Sequence, residues 1–175
     1  KDEWQALALG YTSGTSGRPK GVVYHHRGSY LMSVGTVTAW ELPHHPTYLY
    51  VVPMFHCNGW GHAWTMTLMA ATIVLTRTIT AEVIFGEIEK HQITHFGGAP
   101  IVLSLLVNAP EETRPELDYK IKVLTAGAPP PAAMLEKTAA MGLDVMQVYG
   151  LTETYGHVTQ CLWRSEWNEL TFSEQ

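Results

Sequence analysis

Apolar residues along the chain fall into two alternating patterns. Short runs rich in β-branched and aromatic residues predict strands, and these runs lie at 21–25, 47–52, 72–76, 93–96, 120–124 and 144–148. Apolar positions at helical spacing predict helices, and these positions cover 27–40, 60–71, 80–91, 100–108 and 130–142. Because strands and helices alternate, we predict an α/β fold with a mostly parallel sheet and helices on both of its faces.

Two of the predicted helices have recognisable starts. Thr80 is placed to cap the helix that runs to His91, with Val83, Ile84 and Ile88 on one face. Pro130 is predicted in the first turn of a later helix, where a missing N–H group costs little.

The predicted strands end in corners rich in glycine and proline. These corners follow residues 52, 96, 125 and 148. Ligands of open α/β sheets bind beyond the carboxyl ends of the strands. We therefore expect a binding site where the corners gather along one edge of the sheet.

Composition narrows the class of protein. A chain of 175 residues that is 46% hydrophobic is typical of one globular domain. The net charge of −5 argues against a nucleic-acid-binding surface, and no apolar run is long enough to span a bilayer. Cys57 and Cys161 fit either reduced thiols, which would favour a cytoplasmic protein, or a single disulfide.

The most informative segment runs from Tyr11 to Gly21 and reads Y-T-S-G-T-S-G-R-P-K-G. It combines hydroxyl side chains with glycines that let a ligand approach the backbone, and Lys20 adds a cation. A polyphosphate requires this set of N–H groups, hydroxyls and a lysine. The segment is not a Walker A loop, because Gly21 rather than Ser or Thr follows the lysine. A plain Ser/Gly linker is disfavoured, because a linker has no need of Pro-Lys-Gly before an apolar strand. We call this segment the lysine loop.

A second motif, Tyr149-Gly150-Leu151-Thr152-Glu153, follows the last predicted strand. It offers a ring that could stack on a base, a hydroxyl for a phosphate oxygen, and a carboxylate suited to Mg²⁺. A lone exposed glutamate is usually solvated surface, so the motif gains its weight from occurring together with the lysine loop.

Together the two motifs resemble the adenylate-forming superfamily, which includes acyl-CoA synthetases, luciferases and the adenylation domains of peptide synthetases. The segment A-G-A-P at Ala126–Pro129 is similar to the adenine-binding loop of that superfamily. The segment M-F-H-C-N-G-W at Met54–Trp60 is most similar to ligases of short and medium-chain acids, such as methylmercaptopropionate–CoA ligases. The resemblance implies ATP-dependent activation of a carboxylic acid to an acyl adenylate, followed by transfer of the acyl group to CoA.

The resemblance also implies a role for each matching position. The phosphates of ATP would be held by Thr12, Ser13, Gly14, Thr15, Ser16, Gly17 and Lys20. The adenine would lie against Gly127, Ala128, Pro129, Gln147, Tyr149 and Gly150. The acyl pocket would be shaped by His56, Trp60, Gly98, Ala99 and Pro100, with His56 at its gate. Thr152 would contact the α-phosphate and Glu153 would bind Mg²⁺, and the implied catalytic residues are Lys20, His56, Thr152 and Glu153.

Some parts of such an enzyme have no candidate in this sequence. They are a ribose-binding aspartate, a hinge, and a small C-terminal domain with a catalytic lysine. We therefore expect residues 1–175 to be the central part of the large N-terminal domain and to be inactive alone. The expected ligands are ATP or AMP, Mg²⁺, a small carboxylic acid and CoA, and a homo-oligomer is left open.

Three alternatives compete with this interpretation. The first is a non-catalytic nucleotide-binding or scaffold module of the same fold, although a scaffold would be free to lose Lys20 and Glu153. The second is a zinc site, since imidazoles and a thiol crowd one region at His44, His45, His56, Cys57 and His62. Zinc sites favour tightly paired ligands, and we expect packing or gating there instead. The third is an aromatic ligand cage, but core positions are predicted for Trp60, Trp64, Trp163 and Trp167.

Overall fold

The computed structural model describes residues 2–13, 17–171 and 174. The strands are β1 Ala6–Thr12, β2 Lys20–His25, β3 Thr47–Tyr50, β4 Thr72–Leu75, β5 His95–Gly97, β6 Ile121–Thr125, β7 Leu143–Gly150 and β8 His157–Gln160. The helices are α1 His26–Ala39, α2 Cys57–Trp60, α3 His62–Leu68, α4 Ala81–His91, α5 Pro100–Val107 and α6 Ala132–Ala140. Short 3-10 turns occupy Glu111–Thr113, Thr152–Thr154 and Ser165–Glu169.

The main sheet has six strands in the order β4-β3-β5-β6-β7-β8. The first five strands in that order are parallel, and β8 pairs with β7 in the antiparallel sense. The predicted α/β fold with a mostly parallel sheet is therefore confirmed. Strands β1 and β2 form a separate antiparallel hairpin, which the sequence did not predict as a pair.

Helices pack on both faces of the main sheet. Successive residues of a strand point to opposite faces, so neighbours such as Tyr48 and Leu49 enter different cores. Leu49 packs into a core that includes Ile84 of α4 and Leu103 of α5. Tyr48 packs into a second core that includes Met66 of α3. Helices thus cover both faces, as the alternating pattern predicts.

Several local predictions can be compared with the structure. Thr80 caps α4 as predicted, since its hydroxyl accepts a hydrogen bond from the Val83 N–H at 3.3 Å. Pro130 was placed wrongly in a helix: α6 begins at Ala132, and Pro131 is its capping residue. Strand β8 was missed because its residues are exposed or half-buried and lack a clear apolar alternation.

The aromatic and cysteine predictions have mixed outcomes. Trp163 was wrongly assigned to the core, because its side chain is 56% exposed and packs edge-on against Trp167. Trp60 is half-buried against the second core. Cys57 and Cys161 are both free thiols, so the structure favours the reduced alternative. In the described ranges no helix is long and apolar enough to cross a membrane.

Candidate functional site

The corners that follow β3, β5, β6 and β7 meet around one cavity at the carboxyl edge of the sheet. Its volume is about 380 Å³. The predicted site residues that line it are His56, Trp60, Gly98, Ala99, Gly127 and Gly150. The remaining walls are mostly apolar side chains from the strand ends and α5, such as Val52, Val102 and Leu124. Pro100 opens α5 next to Ala99 but does not line the cavity.

Two further histidines, His62 and His157, line the same cavity. In the sequence His62 stood out only as one of a crowded group of imidazoles, and His157 was not singled out. The Tyr48 hydroxyl hydrogen-bonds to His62 Nδ1. Burial lowers the pKa of His62 to about 3, with His157 as a smaller cause. Burial also lowers the pKa of His157. Both rings are therefore neutral at neutral pH, and the cavity suits an uncharged acyl group.

The lysine loop joins the two strands of the β1–β2 hairpin. Thr12 lies opposite Lys20 where the hairpin opens, and Ser13, Gly17 and Lys20 are exposed. Gly14, Thr15 and Ser16 were also assigned to phosphate binding, and they lie outside the described residues.

The structure brings this hairpin against the second motif. The Tyr24 hydroxyl of β2 donates a hydrogen bond to the Thr152 carbonyl oxygen at 2.6 Å. A β-carbon built on Gly10 of β1 would lie 3.8 Å from the Thr152 methyl group. Glu153 is exposed on the same 3-10 turn. Two segments far apart in sequence therefore converge at Thr152.

The residues assigned to the adenine lie on the adjacent strands β6 and β7 and their corners. Gly127, Ala128 and Pro129 are exposed after β6. Gln147 is half-buried opposite Thr125, and the Tyr149 ring near the end of β7 is 57% exposed. An exposed aromatic face near the end of a strand is suited to stacking on a base.

The segment after β3 contains a feature that the sequence did not predict. Residues Cys57, Asn58, Gly59, Trp60 and Gly61 have φ angles of 44°, 46°, 63°, 58° and 70°. The segment labelled α2 is therefore one turn of left-handed rather than right-handed backbone. This conformation is costly for most residues other than glycine. The Tyr50 hydroxyl donates to the Gly59 carbonyl oxygen at 3.1 Å and so anchors the turn. We call residues 57–61 the left-handed turn.

The crowded histidines and cysteine do not form a metal cluster. In the part of the chain that the structure describes, no three His, Cys, Asp or Glu side chains could hold a metal ion together. The Cys57 sulfur instead lies 3.1 Å from Thr152 Oγ1 and 4.0 Å from His56 Nε2. The thiol therefore belongs to the surroundings of the second motif.

The sequence is similar to a known enzyme family and to named CoA ligases of plants. A family model described as AMP-binding enzyme matches residues 1–172. The peroxisomal acetate/butyrate–CoA ligase of Arabidopsis thaliana is 46% identical over 170 residues, which are 97% of this chain and 30% of that relative. The 2-methylpropanoate–CoA ligase of Humulus lupulus is 45% identical over 175 residues, which are 100% of this chain and 31% of that relative.

A solved structure shares the fold. It is the O-succinylbenzoate coenzyme A synthetase of Bacillus subtilis in complex with ATP and a magnesium ion. The TM-score is 0.81 at 27% sequence identity, and the match covers 91% of this chain and 33% of that one. This chain thus spans about a third of the length of the proteins it matches.

Proposed function

The chain belongs to the AMP-binding enzyme family, and from that membership we propose that the protein containing it is an acyl-CoA synthetase. The reaction is ATP-dependent activation of a short or medium-chain carboxylic acid, followed by transfer of the acyl group to CoA. One observation carries this proposal: the hairpin of the lysine loop and the second motif meet at Thr152, where Tyr24 Oη lies 2.6 Å from the Thr152 carbonyl oxygen. An apolar cavity adjoins this junction, and Gly150 and Cys57 both line it. The Cys57 sulfur lies 3.1 Å from Thr152 Oγ1.

The proposed chemistry explains why these residue types occur together. A carboxylate attacks the α-phosphorus of ATP, the bond to the β-phosphate oxygen breaks, and pyrophosphate leaves. Two anions must approach each other while charge grows on the leaving group. Lys20 and the N–H groups of its loop stabilise that charge, and Thr152 donates a hydrogen bond to the α-phosphate. The thiol of CoA then attacks the acyl carbonyl carbon, and AMP leaves.

The residues of this site fit a Mg²⁺ ion that would be held mainly by the phosphates of ATP, with one carboxylate from the protein. Glu153 offers one exposed carboxylate, and the described ranges hold no cluster of three ligands that would form an all-protein cage. Magnesium commonly takes one or two carboxylates and completes its shell with phosphate oxygens and water. When bound, it neutralises phosphate charge, and the role of Glu153 is to fix its position.

We also propose that this chain is the central part of the large N-terminal domain of the enzyme. Its extent, about a third of the relatives' length, supports this placement. A C-terminal domain with a catalytic lysine would then lie elsewhere in the protein. A cytoplasmic location stays a prediction, because one relative is named as peroxisomal.

The test is acid-dependent ATP–pyrophosphate exchange by the full-length protein. Acetate, butyrate and 2-methylpropanoate are the first acids to try, since they are named in the relatives. We expect exchange with at least one acid and formation of its CoA thioester when CoA is added. ATP binding without exchange for any acid would instead favour the nucleotide-binding scaffold.

Trp60→Ala should shift the acid preference toward longer chains. Trp60 lines the cavity, so its removal opens space for added methylenes, each favouring binding by about 0.8 kcal/mol, or about fourfold, if buried. The measurement is kcat/KM across a series of straight-chain acids. Trp64→Ala is the matched control, because Trp64 lies on α3 and does not line the cavity. A profile that does not move would restrict Trp60 to a packing role.

Glu153→Gln should raise the Mg²⁺ concentration that supports half-maximal exchange by at least about 10-fold. The amide keeps the shape of the side chain but lacks the charge that a hard cation prefers. Asp144→Asn is the matched control, because Asp144 is exposed near the other end of β7. If Glu153→Gln and Asp144→Asn gave the same Mg²⁺ dependence, Glu153 would not be a ligand.

A further inference from the structure

Thr152 is held by side chains from two other segments of the chain. Its carbonyl oxygen accepts the hydrogen bond from Tyr24 of β2, and its hydroxyl lies 3.1 Å from the sulfur of Cys57 in the left-handed turn. We propose that Tyr24 and Cys57 act as positioning residues that fix Thr152 for its contact with the α-phosphate. This inference rests on the proposed function, because it concerns the same phosphate contact. We call Tyr24, Cys57 and Thr152 the threonine clamp.

The Tyr24 side of the clamp is rigid. Tyr24 has no exposed surface, and its ring stacks on Tyr155 with 4.3 Å between centroids. The Tyr155 hydroxyl in turn accepts a hydrogen bond from the His25 backbone N–H at 2.9 Å. The Tyr155 ring packs over Gly28, where a β-carbon would collide with it. The hairpin that carries the lysine loop is thus fastened both to Thr152, the first residue of the 3-10 turn, and to Tyr155, the residue after it.

The Tyr24 hydroxyl can serve only as a donor toward the Thr152 carbonyl oxygen. Burial is the main reason that the pKa of Tyr24 is raised to about 12, and Cys57, Tyr155 and Glu153 add to it. The hydroxyl therefore keeps its proton throughout the neutral range. Without this donor, the partly buried Thr152 carbonyl oxygen would lose its hydrogen bond from Tyr24, which is costly.

The Cys57 side of the clamp determines where the Thr152 proton points. A phosphate oxygen can only accept a hydrogen bond, so the Thr152 hydroxyl must donate its proton to the phosphate. The thiol of Cys57 then has to be the donor toward Thr152 Oγ1. A serine at position 57 would preserve this arrangement, and an alanine would not.

The backbone of Cys57 gives an independent reason to regard this contact as built into the site. Cys57 begins the left-handed turn with a φ of 44°, a conformation that an L-residue with a side chain adopts at a cost. Strain of this kind persists where surrounding contacts hold it, and it concentrates at functional sites. The hydrogen bond from Tyr50 to Gly59 holds the turn, and the turn begins with the thiol beside Thr152.

The test uses ATP–pyrophosphate exchange by the full-length protein with variants that change single atoms. Tyr24→Phe and Cys57→Ala should each lower kcat by about 5- to 10-fold, with the KM for the acid nearly unchanged. Cys57→Ser should recover most of the activity lost in Cys57→Ala. Cys161→Ala is the control for loss of a thiol and should leave kcat unchanged, because Cys161 is an exposed free thiol just after the end of β8.

A double-variant comparison separates positioning from a general effect on packing. In a Thr152→Val background the hydroxyl is gone, so adding Cys57→Ala should have no further effect on kcat. Equal losses from Cys57→Ala in both backgrounds, or no recovery by Cys57→Ser, would overturn the clamp. A wild-type protein that shows no exchange with any acid would instead overturn the proposed function.

Discussion

Lys20→Ala in the full-length protein should slow acid-dependent ATP–pyrophosphate exchange by about 30- to 900-fold. This range corresponds to a loss of about 2–4 kcal/mol of transition-state stabilisation, the usual effect of removing one strong contact to developing charge. The physical reason is that negative charge grows on the leaving pyrophosphate as the bond between the α-phosphorus and the bridging oxygen breaks. The ammonium group of a lysine is suited to stabilise that charge.

The fold should tolerate this change. Lys20 is the first residue of β2, is exposed, and lies opposite Thr12 at the open end of the hairpin. No part of its side chain is needed by either core. The KM for the acid should therefore change little, and kcat for exchange should carry the effect.

The control is Lys90→Ala, which removes an equivalent exposed charge from the last turn of α4. It should leave the exchange rate within about twofold of the wild type, since an isolated surface charge contributes little. An exchange rate for Lys20→Ala as fast as that for Lys90→Ala would rule out phosphate binding by this lysine.

The sequence predicted the fold class and the edge of the sheet at which the cavity lies. It could do so because both depend on patterns among neighbouring residues. The alternation of β-branched runs with helical spacing is a property of neighbouring residues, as at Thr47–Tyr50 and Ala81–His91. Corners with glycine and proline mark the ends of such runs. Parallel strands then gather those ends on one edge without any further information.

The sequence could not predict contacts between distant segments. Tyr24 and Thr152 are 128 residues apart, and the patterns around these two residues do not mark them as neighbours. His62 was weighed as a zinc ligand, with packing or gating expected instead, and nothing in the sequence around it indicates that it faces a cavity. Contacts of this kind depend on how whole elements pack, which periodicity does not specify.

The left-handed turn escaped prediction for a different reason. Glycine marks positive φ angles in a sequence, but Cys57, Asn58 and Trp60 share the left-handed conformation with Gly59 and Gly61. Local preference opposes this backbone at Cys57 and Trp60, although asparagine tolerates it, so tertiary contacts must impose it there. The turn is therefore a place where the fold overrides the sequence pattern, and its cost can be measured.

Gly59→Ala should destabilise the protein severely, by about 2–5 kcal/mol. Gly59 has a φ of 63°, and a left-handed conformation costs a residue with a side chain about 1–2 kcal/mol. A β-carbon on Gly59 would also collide with the Tyr50 hydroxyl that anchors the turn, and overpacking of this kind costs about 1–3 kcal/mol. The measurement is the melting temperature of the full-length protein, compared across a matched set of variants.

The matched set separates the two costs. Gly61→Ala keeps the conformational cost but meets only Trp64 atoms at 3.7 Å or more, so its melting temperature should fall less. Tyr50→Phe removes the colliding hydroxyl, so the double variant Gly59→Ala/Tyr50→Phe should melt at a higher temperature than Gly59→Ala alone. The recovery should be partial, because the Tyr50 ring carbons would still lie 2.9 and 3.1 Å from the new β-carbon. If Gly59→Ala and Gly61→Ala melted at the same temperature, the Tyr50 hydroxyl would not be holding the turn at Gly59.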